Sequence, residues 1–189
     1  MSKLLIILIT FWTIYIKAHA FTNNPQRELK EDELVINHFS LHKVVKKNGQ
    51  HTYLVKAVAN NLTSTVRREE LSVMDGCMSE ICVKDIMFDM GYMRYVSVEA
   101  ITYDNNLVVG TSEGWNGLYQ PFKTNLANTS GCHQSARRKL CVGDKVRDFI
   151  GNVVTIIAIQ QNMNLVVMSN DGWNTYRNHV DADSLSVIE

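Results

Sequence analysis

The chain has 189 residues, 46% of them apolar and 20% charged, with 19 basic and 19 acidic side chains. That apolar content supports a buried core and excludes a disordered chain. The zero formal charge argues against bulk electrostatic capture of nucleic acid or of an anionic membrane, and no glycine-rich phosphate loop, HExxH, GxSxG or EF-hand loop is present.

Residues 1–20 read as a secretory signal peptide. Lys3 gives a basic start, residues 4–16 form an apolar run, and Ala18-His19-Ala20 supplies a cleavage pattern. A thirteen-residue run rises only about 20 Å as a helix, short of a ~30 Å hydrocarbon core. Cleavage after Ala20 would leave a chain starting at Phe21 with no further apolar span, and a net charge of 17 − 19 = −2. The expected location is periplasmic or extracellular.

Residues 21–74 read as an N-terminal β region. Residues 26–34 are rich in Glu and Lys, fitting a short helix or a leader, and Asn48-Gly49 marks a chain reversal. Beyond this region the chain repeats itself. Cys82-Val83-Lys84-Asp85, Val96 to Ile101, Asn106-Leu107-Val108-Val109 and Gly114-Trp115-Asn116 recur in order as Cys141-Val142-Gly143-Asp144, Val154 to Ile159, Asn164-Leu165-Val166-Val167 and Gly172-Trp173-Asn174. The offset is 59 at the cysteines and 58 further on. The expected units are 75–130 and 131–189. A weaker third match aligns Lys43-Val44, Gly49, Tyr53 to Val58 and Glu70-Leu71-Ser72-Val73 with Lys145-Val146, Gly151, Thr155 to Ile159 and Ser184-Leu185-Ser186-Val187.

In an exported chain, Cys77, Cys82, Cys132 and Cys141 point to disulfides. The repeat favours Cys77–Cys82 and Cys132–Cys141, each within its own unit; the rival is one four-thiolate zinc site. Neither pair has the Cys-x2-Cys spacing usual for zinc, and no metal or cofactor is expected.

The valine-rich stretches are β-branched and bounded by turn residues, which predicts strands. Asp104-Asn105-Asn106 and Gln161-Asn162 sit where hairpins reverse, and Glu113-Gly114 and Asp171-Gly172 mark second reversals. Four to five short strands per unit suggest an all-β fold of small closed or half-open barrels, which hide their edges.

The segments Ser130-Gly131-Cys132 and Cys141-Val142-Gly143-Asp144 resemble tandem repeats of exported bacterial proteins, in which a Gly-Cys…Cys-Val-Gly-Asp lead-in precedes a β unit of the SH3-like type. The likeness covers residues 75–189, with Lys84 in place of the motif glycine in the first unit. It implies bacterial export and SH3-like barrels, and it carries over no catalytic residue.

Trp115 and Trp173, with Tyr119 and Tyr176 beyond them, suggest a shallow aromatic face for an extended peptide or a sugar ring; alternatively each indole plugs its own barrel. His38 and His42 are four residues apart, but Val35, Phe39 and Val44 around them suggest extended chain. His133 adjoins a cysteine expected to be oxidised, and Arg137-Arg138-Lys139 reads as a solvated basic loop. The sequence favours a non-enzymatic binding or scaffolding module of the cell envelope, facing a protein, peptide or wall polymer, with no nucleic-acid partner and no membrane span once the signal is removed. The alternative is a small secreted hydrolase drawing on His38, His42, Asp85 or Asp144, which requires a cleft gathering a histidine and a carboxylate.

Overall fold

The computed structural model describes residues 24–111, 114–135, 138–170 and 175–188, the side chains of 114–116 excepted. The signal peptide expected over residues 1–20 lies outside the described residues. The protein is all-β and antiparallel, with no helix of seven residues or more among the described residues. Two compact units divide the chain: Met1–Val83 with Glu99–Val108, and Lys84–Val98 with Val109–Glu189.

Three five-strand meanders follow one another. The first comprises β1 (Leu34–Asn37), β2 (Ser40–Lys47), β3 (Thr52–Ala57), β4 (Thr63–Arg67) and β5 (Leu71–Val73). A small hairpin, β6 (Cys77–Met78) and β7 (Ile81–Cys82), leads to β8 (Ile86–Asp89), β9 (Arg94–Ile101), β10 (Leu107–Thr111), β11 (Gly114–Tyr119) and β12 (Leu126–Asn128). A second hairpin, β13 (Cys132–Gln134) and β14 (Lys139–Cys141), leads to β15 (Lys145–Arg147), β16 (Val153–Gln160), β17 (Leu165–Ser169), β18 (Tyr176–Val180) and β19 (Ser186–Val187).

Each meander has the same internal order: the first strand lies between the second and the fifth, and the third and fourth extend beyond the second. In each, a 3-10 turn precedes the fifth strand, at Arg68–Glu70, Lys123–Asn125 and Ala182–Ser184. The registers also coincide. Leu34 faces Lys43, Ile86 faces Ser97, and Lys145 faces Thr155. The first-to-fifth pairs are Val35 with Val73, Met87 with Asn128, and Val146 with Val187.

The turns that set this register are built alike. The amides of Asp32, Lys84 and Gly143 donate to the carbonyls of Val44, Val98 and Ile156 at 2.9, 2.7 and 2.8 Å. Those three residues' own amides donate back to Glu33, Asp85 and Asp144, each at 2.9 Å. The geometry requires a left-handed residue first, with φ of 65° at Asp32, 81° at Lys84 and 96° at Gly143. Lys84 therefore takes the backbone form that the motif glycine takes, at a steric cost glycine avoids.

These turns correct the weaker match read from the sequence. Val44 on β2 is the counterpart of Ile156 on β16, so aligning Lys43-Val44 with Lys145-Val146 is slipped by one strand. Alternating valines on neighbouring strands are interchangeable by sequence. The match at Leu71 and Leu185 does fall on equivalent places, each following a 3-10 turn.

The sheets do not close into barrels, so the closed form among the sequence expectations is not found. The free edge of each fifth strand is used differently: β5 pairs onward with β9 through Val73 and Ile101, and β12 with β16 through Ala127–Gln160 and Asn128–Ile159. The continuous apolar run of β17 follows from cover on both faces. Leu165 and Val167 join Val154, Ile156 and Leu185 in one core cluster, while Val166 joins Phe88, Ala127 and Ala158 in another.

Candidate binding face

Disulfides join Cys77 to Cys82 and Cys132 to Cys141, and no free cysteine occurs among the described residues. Both pairs lie directly opposite across a two-stranded hairpin. Just outside each bridge the backbone closes again, from the Val83 amide to the Gly76 carbonyl at 2.9 Å and from Val142 to Gly131 at 3.0 Å. Glycine suits these positions because φ is 86° and 92°, where a side chain would be strained. These hairpins position the turns before β8 and β15, and with their sulfurs oxidised they supply neither a nucleophile nor a thiolate ligand.

Trp173 lies outside the described residues, and so does the side chain of Trp115, whose backbone belongs to β11. Tyr119 and Tyr176 have unlike surroundings. Tyr119 donates its hydroxyl to Asp89 Oδ2 and meets Tyr92 edge-on at 5.4 Å. The Arg94 guanidinium stands 4.8 Å from the Tyr92 ring centre and 5.2 Å from that of Tyr119. Burial, reinforced by the Asp89 hydrogen bond, pushes the Tyr119 phenol up to about 12. Tyr176 instead packs on buried Phe88 at 5.2 Å, beside Tyr95.

Strand register explains the difference. Val109 faces Tyr119, and Val167, its counterpart 58 residues on, faces Arg177 rather than Tyr176. Arg177 then makes the contact analogous to that of Tyr119, an ion pair with Asp148 at 2.5 Å. Both carboxylates are buried, at 1% and 6% exposure, and both also fasten the following turn. Asp89 Oδ1 accepts the Gly91 amide at 2.8 Å, and Asp148 Oδ1 accepts those of Ile150 and Asn152 at 3.1 and 2.8 Å. A side chain at Gly91 would crowd this turn: a Cβ would come within 2.9 Å of Asn125 Nδ2 and 3.1 Å of Asp89 Oδ1, so those side chains would have to shift. Burial opposes ionisation of Asp148, but the Arg177 contact and the two amides outweigh it and hold this carboxyl below its ordinary range.

A pocket of about 480 Å³ opens over the Asp148–Arg177 pair, lined also by Phe149, Tyr176, His179 and Asp181. Phe149, at the tip of the turn after β15, is 78% exposed. Asp181 is occupied in capping the last 3-10 turn through the Asp183 amide at 2.9 Å. Tyr176 thus lines a concave face, whereas Tyr119 braces a buried carboxylate. Asp89, Asp148 and Arg177 were missed by the sequence reading. Their signal, an aspartate closing a short strand just before a turn, is weak without knowledge of the fourth strand.

The hydrolase candidates fall on different turns and strands. His38 occupies the β1–β2 turn with φ of 45°, while His42 lies on β2 and contacts the Ser40 carbonyl at 3.0 Å. Asp144 accepts the Cys141 amide at 2.7 Å, and Asp85 lies in the turn before β8. No group of three His, Cys, Asp or Glu able to hold a metal occurs among the described residues. No described helix is long and apolar enough to cross a membrane. Arg137, the first residue of the basic loop, lies outside the described residues. Comparison with protein-family models and with curated proteins finds no match.

Proposed function

We propose that this chain is an exported, non-enzymatic binding or scaffolding module of the bacterial cell envelope, built from tandem SH3-like β units. The shared strand order, with a 3-10 turn before each fifth strand, supports the unit type, although the sheets remain open. The signal pattern of residues 1–20 and the two disulfides support export.

The observation that carries the binding reading is the pocket of the third meander, where Phe149 and Tyr176 flank a fixed Asp148–Arg177 floor. Its two aspartates are already engaged by Arg177 and by backbone amides, which suits them to shaping a surface rather than to moving protons. An exposed ring at Phe149 and a half-buried one at Tyr176, beside a polar floor, suit an extended peptide or a sugar ring. Soluble peptidoglycan fragments and an extended proline-rich peptide, titrated separately in NMR experiments, test this. Shifts at Phe149, Tyr176 and Arg177 that weaken in Phe149→Ala are expected. Catalytic turnover of either probe, or no shift with both, would contradict the reading.

A further inference from the structure

The two joints between successive meanders use one register. Val73 on β5 faces Ile101 on β9, and Asn128 on β12 faces Ile159 on β16. Ile101 and Ile159 each lie three residues beyond the turn-bonded Val98 and Ile156, so the two pairs are equivalent. Each incoming strand brings a small residue and then an isoleucine. Ala100, Ile101 and Ala158 are 0% exposed and Ile159 is 6%.

By the same register, β19 offers Val187 in the place of Val73 and Asn128, since Val187 faces Val146 as Val73 faces Val35. Among the described residues β19 pairs with β15 alone, and Val187 is 56% exposed where Val73 is fully buried. The surface that receives Ile101 and Ile159 elsewhere is formed a third time and takes no strand among the described residues. Through its β2, a second copy of the chain is a poor occupant. Its own β2 carries exposed Lys46 and Lys47 where β9 and β16 carry Ala-Ile. Lysines at such positions block edge pairing, because burying them would strip water from two charges.

We propose that the outer edge of β19 docks an antiparallel strand of a partner protein, one presenting a small residue followed by a β-branched apolar residue, seated on Val187 as Ile101 is on Val73. Main-chain bonds would hold the strand, and the Ala-Ile pattern would select it. This inference rests on strand registers and is independent of the aromatic pocket.

The test titrates the disulfide-bonded chain with a soluble peptide carrying residues 153–160 between flanking lysines, reading amide hydrogen exchange at Ser186 and Val187. Exchange across β19 should slow by at least about tenfold, as edge pairing requires. Val187→Lys should remove the effect, and a peptide with lysines in place of Ala158 and Ile159 should fail to bind. Unchanged exchange on β19 would overturn the proposal. So would self-association of the chain, seen by sedimentation and abolished by Val187→Lys, because it would make a second copy the occupant. A peptide that perturbs only Phe149 and Tyr176 overturns the edge proposal while leaving the pocket reading intact.

Discussion

In the third meander, the turn at Gly143-Asp144 follows a hairpin closed by Cys132–Cys141, and the left-handed position is a glycine. In the first meander, the turn at Asp32-Glu33 has no cysteine before it and places an aspartate in the left-handed position. There the preceding segment is tied by ions: Arg27 forks onto Glu33 and also reaches Asp75 at 2.8 Å. Buried Arg68 reaches further, donating to the carbonyls of Arg27 at 2.9 Å, Leu71 at 2.7 Å and Pro25. The two regions share backbone bonds and differ in what fastens them. Register is therefore the conserved quantity within this chain, and a covalent bridge and an arginine network are exchangeable ways to hold it.

The largest blow to that comparison should come from Arg68→Ala. It would orphan buried carbonyls and remove a guanidinium 5.3 Å from the Tyr103 ring centre. A loss of about 3 kcal/mol is expected from chemical denaturation, with exchange rising first over β1, β2 and β5. Replacing Cys132 and Cys141 together by serine should cost about 2–3 kcal/mol, the scale for closing a short loop, and should loosen the third meander in preference to the first. If both changes loosened both regions equally, the fastenings would not be local.

Tyr119→Phe comes next, at about 2 kcal/mol, because it takes a donor from a buried carboxylate. A pH signature accompanies it. The folded phenol titrates near 12 against an ordinary value near 10, so the unfolded chain ionises first. The Tyr119 contribution is present below about pH 10 and is lost as pH rises toward 12. Burial also raises the Tyr95 phenol, so phenolate absorbance of the folded protein should show late-titrating tyrosines, of which the one near 12 is missing in Tyr119→Phe. The smallest expected effect is an exchange of turn residues. Lys84→Gly should stabilise by at most about 1 kcal/mol, and Gly143→Lys should destabilise by about 1 kcal/mol. Thermal melts of the two variants would check these opposite signs.

Much of this architecture is legible in the residues. The strands, the Asn-bearing hairpins and the pairing of cysteines within each copy follow from β-branched runs, turn chemistry and a repeat offset by 58 residues over most of its length and by 59 at Cys82 and Cys141. The first meander is harder to read because its equivalence lies in hydrogen bonds at Asp32-Glu33, where no glycine or cysteine stands. Barrel closure was misjudged because edge use depends on the next meander, through pairs such as Val73–Ile101 that no local pattern specifies. The Asp89–Tyr119 and Asp148–Arg177 contacts bridge 30 and 29 residues and depend on the fourth strand's register, which sets Arg177, not Tyr176, opposite Val167. Asn37 shows what that bridge contributes. It ends β1 as Asp89 ends β8, lacks a fourth-strand donor, and leaves its buried Oδ1 unpaired.

One strand register is written three times along the described residues. Cross-strand NOEs on the oxidised protein test it most directly. Close approach of Val35 to Val73, Met87 to Asn128 and Val146 to Val187, together with Val73 to Ile101 and Asn128 to Ile159, is expected. A shift of any one meander by a single residue, or β5 and β12 paired with their own fourth strands, would contradict it.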